Sequence, residues 1–399
     1  MRIFMEYTGN SSKLSFIPYI IGTVFIFTVT FAIAATIGGD YISHREWAAE
    51  LSLRNLPGFM QNYAAYPLWH FVTKSIYRIF RFSLCDSAAI TTALCNCFAY
   101  WSLLWVWDFF IQKPLSPLGK AFWGACLMIV GPLYLPVFNP DYLLGQGSGN
   151  AWHNPTNIAV KGFTILCFAL IIQLLDSQKS IREERKTYIL LSILLFFSAL
   201  AKPSFLQGMI PGLGLYFIIS LLHNRRNFAK YCAIAGTFIP AAGLLLFQLT
   251  FSFFTDTAIH SGGGIGIEFG RCLKLYTPSL FISFLLAFAF PLFVLALDFK
   301  NLIKKTAIQA VLCYELCAWA ESAFLYEIGE RERHGNWIWG SYLSMFVVWM
   351  LFTFEYFDII SVKTGSKIRR NIGLYGGGIL LFLHMAFGLL YCFSLINEA

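Results

Sequence analysis

Charged residues are scarce in this chain. They make up 13% of its 399 residues, whereas a soluble domain carries roughly a quarter. The scarcity excludes an ordinary soluble enzyme. The net charge of +8 is gathered between apolar runs, so it indicates membrane topology, and no nucleic-acid partner is expected. The start of the chain also lacks the cationic, short-apolar, Ala-x-Ala pattern of a cleaved signal peptide, and the ten cysteines lack metal-type spacing.

Apolar and aromatic residues dominate the chain. The hydrophobic share is 57%, the aromatic share is 18%, with 41 Phe, and the mean hydropathy is +0.63. Such a composition is typical of lipid-facing helices with interfacial Trp and Tyr. We therefore expect an all-α polytopic membrane protein that forms a single transmembrane domain over residues 1–399.

The apolar runs predict about eleven transmembrane helices. Each run is long enough, or nearly so, to cross roughly 30 Å of hydrocarbon. The runs cover residues 16–38, 88–112, 121–138, 157–176, 187–201, 204–222, 231–253, 277–297, 306–326, 338–357 and 372–395.

Basic connections set the predicted orientation. Lys and Arg concentrate at residues 179–186, 223–230, 298–305 and 362–370, and the positive-inside rule assigns these connections to the cytoplasm. Counting spans from them puts residues 139–156, 254–276 and 327–337 outside, together with a first outer loop at 39–87. The predicted location is a plasma (inner) membrane, with the functional face extracytoplasmic.

One segment of the first outer loop has the pattern of a surface helix. In residues 67–82, Val72, Ile76 and Ile79 share one helical face, and a second face carries His70, Lys74, Tyr77, Arg78 and Arg81. A cationic, moderately apolar helix lies in the membrane interface. The alternative is a short tilted span, which would invert every later assignment.

Three short motifs carry a family resemblance. They are Asp40 in IGGDY, the outer loop FNPDYLLGQGSGNAWHNPT at 138–156, and Lys202-Pro203 in SALAKPSF. With a first span that ends near an acidic residue and an outer loop with interfacial helices, the chain resembles the GT-C superfamily of membrane glycosyltransferases. Many relatives have two adjacent acids in the first loop. Here Tyr41 follows Asp40, and the next acid is Glu46.

The resemblance implies a function. The protein would move a sugar, with inversion, from a polyprenyl-phosphate donor to a glycan or glycolipid acceptor at the extracytoplasmic face of the bilayer. Such transfer needs a base, cations for the leaving phosphate and polar or aromatic groups for the sugars. No cofactor is predicted with certainty, and a divalent cation, Mg²⁺ or Mn²⁺, stays open.

The candidate residues follow from these needs. Asp40 is the predicted base, with Asp141 as a second catalytic carboxylate, and Lys202, Arg331 and Arg333 are predicted to hold the donor phosphate. The predicted substrate contacts are Glu46, His70, Gln146, Asn150, His153, Glu321, His334, Asn336 and Trp337.

Structural explanations and other functions stay open at this point. Asp40 could mark the membrane boundary, Lys202 could extend its amine to the headgroups, and loop 327–337 could be a self-neutralising surface loop. A polysaccharide polymerase or ligase would also use a lipid-linked donor. A transporter or flippase would use the acids within apolar runs, such as Glu315.

Overall fold

The structure is a computed structural model that describes residues 16–111, 115–138, 147–253, 264–329, 332, 335–361 and 371–397. These residues form fifteen α-helices and one two-stranded sheet, so the predicted all-α class is confirmed. The helices are α1 Ile17–Thr36, α2 Asp40–Glu50, α3 Leu56–Asn62, α4 Leu68–Phe80, α5 Leu84–Phe110, α6 Pro117–Leu127, α7 Pro155–Asp176, α8 Arg185–Ala201, α9 Ser204–His223, α10 Phe228–Gly236, α11 Ile239–Phe253, α12 Leu280–Leu302, α13 Thr306–Phe324, α14 Ile338–Ser361 and α15 Gly378–Asn397. The strands are β1 Ile265–Ile267 and β2 Leu325–Glu327, which pair antiparallel.

Seven helices within the described ranges are long and apolar enough to cross a membrane. They are α1, α5, α7, α9, α12, α14 and α15, the last with its preceding turn from Gly373. The bent pair α10 and α11, with 49° between its halves, would make an eighth span. Helices α8 and α13 match two further predicted runs. The chain is therefore an integral multi-pass membrane protein with fewer full-length spanning helices than the eleven apolar runs suggested.

The run at 121–138 is not the full helix that the sequence predicted. Helix α6 ends at Leu127, and Gly131 then lies against Gly388 of α15 so closely that a Cβ would be 3.0 Å from its Cα. The next residue, Pro132, has no N–H to continue a helix. Irregular backbone at membrane depth is tolerated where protein surrounds it. Here the Gly131 N–H donates to the His384 carbonyl at 3.1 Å.

The segment still leads from one end of the bundle to the other. Lys120, at the start of α6, pairs with Asp108 near the end of α5 at 2.7 Å. At the other end, the Asn150 amide donates to the carbonyls of Leu127 and Val130, at 2.8 and 3.0 Å. A half-helix and an irregular stretch therefore replace the predicted span.

Helices α5, α7 and α14 form the centre of the bundle. Most residues of α7 and α14 are buried, while α1, α9, α12 and α15 expose large apolar side chains such as Ile21, Phe281 and Phe382. Helix α5 packs on α1 and α7, and α13 packs on α9 and α14. In a membrane protein the exposed apolar side chains face lipid, so the polar groups buried among the central helices are the ones to examine for function.

Helix α4 covers most of the segment predicted to lie in the interface. Its 13 residues extend about 20 Å, too short to cross the hydrocarbon. Residues of both predicted faces pack inward, since Ile76 of the apolar face is only 9% exposed. His70, predicted on the polar face, is fully buried, and Ile79, predicted on the apolar face, is 71% exposed. The location of α4 in the interface stays a prediction.

Candidate functional site

Asp40 lies where the chain turns from α1 into α2. Helix α1 ends at Thr36, Ile37 is extended, and Gly39 adopts φ +59° and ψ −127°. Side chains rarely adopt that conformation, so glycine is the residue that suits the turn. The turn makes Asp40 the first residue of α2, and its carboxylate is exposed. Positive partial charge on the free N–H groups of a helix start also favours an anion there.

Asn154 joins this carboxylate to the bundle. It is the N-cap of α7, and its Oδ1 accepts from the Asn157 N–H at 3.0 Å, while Pro155 occupies the first helical position. Its Nδ2 donates to Asp40 Oδ2 at 2.8 Å. One amide thus caps a spanning helix and orients the candidate base.

Lys202 reaches the same amide from the opposite side. It is the C-cap of α8, and Pro203 turns the chain into α9. Its Nζ donates to Asn154 Oδ1 at 2.9 Å and to Thr156 Oγ1 at 3.4 Å. A carboxylate, an amide and an ammonium therefore form one chain of hydrogen bonds, which we call the Asp40–Asn154–Lys202 chain.

Lys202 lies in a buried aromatic setting. Its ammonium lies 4.8 Å from the ring centre of Trp339 and 5.8 Å from that of Tyr66. Burial lowers the pKa of Lys202 to about 7. The Asp40 carboxylate has the opposite effect on this pKa, because a nearby negative charge favours the charged ammonium. An ammonium has three donors, so Lys202 can add a phosphate oxygen to its amide and hydroxyl acceptors.

His153 completes this group. Its ring nitrogens lie 3.0 and 3.1 Å from the Tyr391 hydroxyl of α15. Burial lowers its pKa, and the charge of Asp40 acts in the opposite direction. The ring is neutral near pH 7, and it is adjacent in sequence to the amide that binds the candidate base.

Asn150, a predicted substrate contact, forms its side-chain hydrogen bonds with other residues of the protein. Besides its bonds to Leu127 and Val130, its Oδ1 accepts from the buried Lys161 ammonium at 2.7 Å. The neighbouring Gly149 lies against the Phe346 backbone, where a Cβ would be 2.9 Å from Cα. These contacts anchor loop 147–154 and thereby position His153 and Asn154.

His70 and Glu46 lie away from the Asp40–Asn154–Lys202 chain. His70 Nε2 is 2.9 Å from His44 Nδ1, inside a cluster that includes Trp47 and Trp69. Burial lowers the pKa of His70 to about 3, so the ring is neutral and packs beneath α2. Glu46 is exposed, and six residues along α2 rotate it about 120° from the direction of Asp40.

The remaining predicted substrate contacts lie in two different parts of the structure. Glu321 lies close to Gly340, since a Cβ on that glycine would be 3.9 Å from Glu321 Oε2. Gly340 directly follows Trp339, the residue whose ring contacts Lys202. Asn336 instead donates to Glu327 of β2 at 2.8 Å. The Nε1 of Trp337 is buried and has no hydrogen-bond partner among the described residues.

Several predicted residues lie outside the described ranges. They are Asp141, Gln146, Arg331, Arg333 and His334. Conversely, the prediction did not select Asn154 and Thr156 as site residues. The signal was present, since an Asn-Pro pair at the start of an apolar run is a typical N-cap followed by a first-turn proline. Among the residues described, no group of three His, Cys, Asp or Glu side chains could hold a metal ion.

Together the fold and the site define a polytopic helical membrane protein with a polar site at one end of its bundle. No protein-family model and no curated protein matches the chain. Two solved structures of ArnT from Cupriavidus metallidurans are similar to it. The one bound to undecaprenyl phosphate has a TM-score of 0.53 and 10% identity over 97% of this chain and 76% of that one. The apo structure has a TM-score of 0.56 and 10% identity over 95% and 76%. The chain therefore shares its fold with these structures over most of its length, and the predicted all-α polytopic architecture is confirmed.

Proposed function

We propose that this protein is a membrane glycosyltransferase that takes its sugar from a polyprenyl-phosphate donor. The observation that carries the proposal is the Asp40–Asn154–Lys202 chain, which joins an exposed carboxylate to a buried cation through one amide. Inverting transfer from a lipid phosphate needs a base on one side of the sugar and a cation on the other. The similarity to a fold that was solved with undecaprenyl phosphate adds support.

Each residue of this chain has a proposed role. Asp40 takes the proton of the acceptor hydroxyl as that oxygen attacks the anomeric carbon. The bond from this carbon to the phosphate oxygen breaks, and the lipid phosphate leaves with the electron pair. Lys202 neutralises the charge that develops on the phosphate. Asn154 holds Asp40 and Lys202 at a constant separation, so that the base and the cation are both placed for the reaction.

The proposal is tested by sugar transfer with purified protein. A panel of radiolabelled polyprenyl-phosphate sugars is offered to wild type, Asp40→Asn and Glu50→Gln, with Mg²⁺, with Mn²⁺ and with EDTA. Asp40→Asn should lose about 10²–10⁴-fold in rate, while Glu50→Gln, an exposed acid of the same helix, should keep the wild-type rate. Full activity of Asp40→Asn refutes the assigned base. A requirement for a pyrophosphate-linked oligosaccharide donor would identify the polymerase or ligase instead.

A proton-coupled transporter is the second candidate, and one observation favours it. Glu315 is buried in α13 and accepts from Ser344 at 2.6 Å, while its Oε1 has no partner among the described residues. Buried membrane carboxyls often carry protons in transport. A transporter would lose function in Glu315→Gln and keep it in Asp40→Asn, whereas the glycosyltransferase requires Asp40.

A further inference from the structure

The last helix reaches the candidate site through one side chain. Tyr391 of α15 is only 4% exposed, and its hydroxyl is within hydrogen-bond distance of both His153 ring nitrogens. The two rings are also nearly parallel, with 29° between their planes and 5.9 Å between their centres. A hydrogen bond and a ring contact from one residue leave the imidazole little freedom to turn.

His153 is in turn coupled to the candidate base. The following residue, Asn154, donates to Asp40 Oδ2, and the charge of Asp40 raises the pKa of the His153 imidazole against the effect of burial. Asp40 on α2, through its charge, and Tyr391 on α15, through its hydroxyl, thus both act on this ring. The coupling depends on where the ring lies, because the interaction between charges falls with distance.

We propose that Tyr391 is a positioning residue, which holds the His153 ring next to the amide that binds Asp40 and so makes the last helix part of the candidate active site. The role of His153 in transfer rests on the proposed function. A neutral imidazole beside a carboxylate that has just taken a proton can accept that proton and pass it to water, which restores the base for the next turnover.

The coupling is measured first without any assay of activity. The full-length protein contains seven histidines. Labelled with ¹⁵N-histidine in lipid nanodiscs, it gives a titration curve for each ring, and the His153 signal is assigned by its loss in His153→Asn. In the wild-type background, Asp40→Asn should lower the His153 pKa, because a favourable negative charge is removed. In a Tyr391→Phe background the same change should lower it by less than half as much.

The control variant is Tyr356→Phe, which removes another α-helical tyrosine hydroxyl, one that bonds to the Leu374 carbonyl. It should leave the effect of Asp40→Asn on His153 unchanged. If the full effect of Asp40→Asn persists in Tyr391→Phe, the inference is overturned, whether or not the protein transfers sugar.

Kinetics then separate this inference from the proposed function. Tyr391→Phe should lower kcat about tenfold with little change in the donor KM, and it should have no further effect in His153→Asn. An unchanged kcat in Tyr391→Phe, or an effect fully retained in His153→Asn, overturns the role in transfer. If wild type transfers no sugar while the pKa coupling depends on Tyr391, the positioning stands and the proposed function fails.

Discussion

Replacing Asn154 tests the bridge between base and cation most directly. In Asn154→Ala, α7 loses its N-cap, which costs about 1 kcal/mol. The buried Lys202 ammonium loses its acceptor at 2.9 Å, and a hydrogen bond to a charged group contributes about 1.5–3 kcal/mol. The free energy of unfolding should therefore fall by about 2–4 kcal/mol. Transfer should fall as well, because Asp40 loses its donor.

The isosteric variant Asn154→Asp separates stability from activity. Aspartate caps a helix as well as asparagine does and still accepts from Lys202, so stability should stay within about 1 kcal/mol of wild type. The donor to Asp40 is replaced by a second carboxyl oxygen at about the same 2.8 Å separation. Two carboxyls this close share one proton. Transfer at pH 7 should therefore fall about tenfold or more, and its acidic limb should move to higher pH.

Both quantities are measured on the same samples. Unfolding is followed by Trp fluorescence during titration with SDS in mixed micelles, and transfer is followed from pH 5 to 9. Asn157→Ala is the matched control, since Asn157 is buried in the same helix and its Oδ1 has no partner among the described residues. If Asn154→Ala is as stable as Asn157→Ala, the amide does not bridge Asp40 and Lys202.

Two further predictions concern the residues on either side of Asn154. Burial lowers the pKa of Lys202 to about 7, so the affinity for the donor should weaken as the pH rises above 7. Because arginine keeps its charge, Lys202→Arg should bind the donor with little pH dependence. The unfolded chain holds the lysine proton up to a pKa of 10.5, so the free energy of unfolding should rise with pH between 7 and 10.5 in wild type and stay flat in Lys202→Met. Gly39→Ala should destabilise the turn before Asp40 by about 1–3 kcal/mol because of its positive φ, and thermal unfolding checks this. Gly38→Ala is the control, since its nearest neighbour would be an ordinary 3.8 Å away, and equal stability of the two variants would contradict the argument.

The sequence predicted some residues of the candidate site and missed others for identifiable reasons. Asp40 and Lys202 could be selected because charge beside a long apolar run is conspicuous. Asn154 was passed over as one polar residue in a polar loop, although its place before Pro155 already predicted an N-cap. His70 is buried beside His44 of α2, and helical periodicity distinguishes two faces of α4 but does not tell which of them meets α2. For Asn150, no local pattern indicates that the amide bonds to residues twenty and more positions earlier in the chain.

The amino-acid sequence by itself determined that this chain is a helical membrane protein. Its apolar runs can satisfy their backbone groups in a membrane only as helices or inside surrounding protein, and the scarcity of charge leaves no soluble alternative. Only the tertiary structure decided that the run at 121–138 continues as irregular chain after Leu127, because that depends on the close contact of Gly131 with Gly388. It also decided that Asp40, Asn154 and Lys202 meet, although 114 positions separate the first two and 48 the last two. Hydrogen bonds between residues so far apart in the sequence arise from how whole helices pack, and no local sequence pattern predicts that packing.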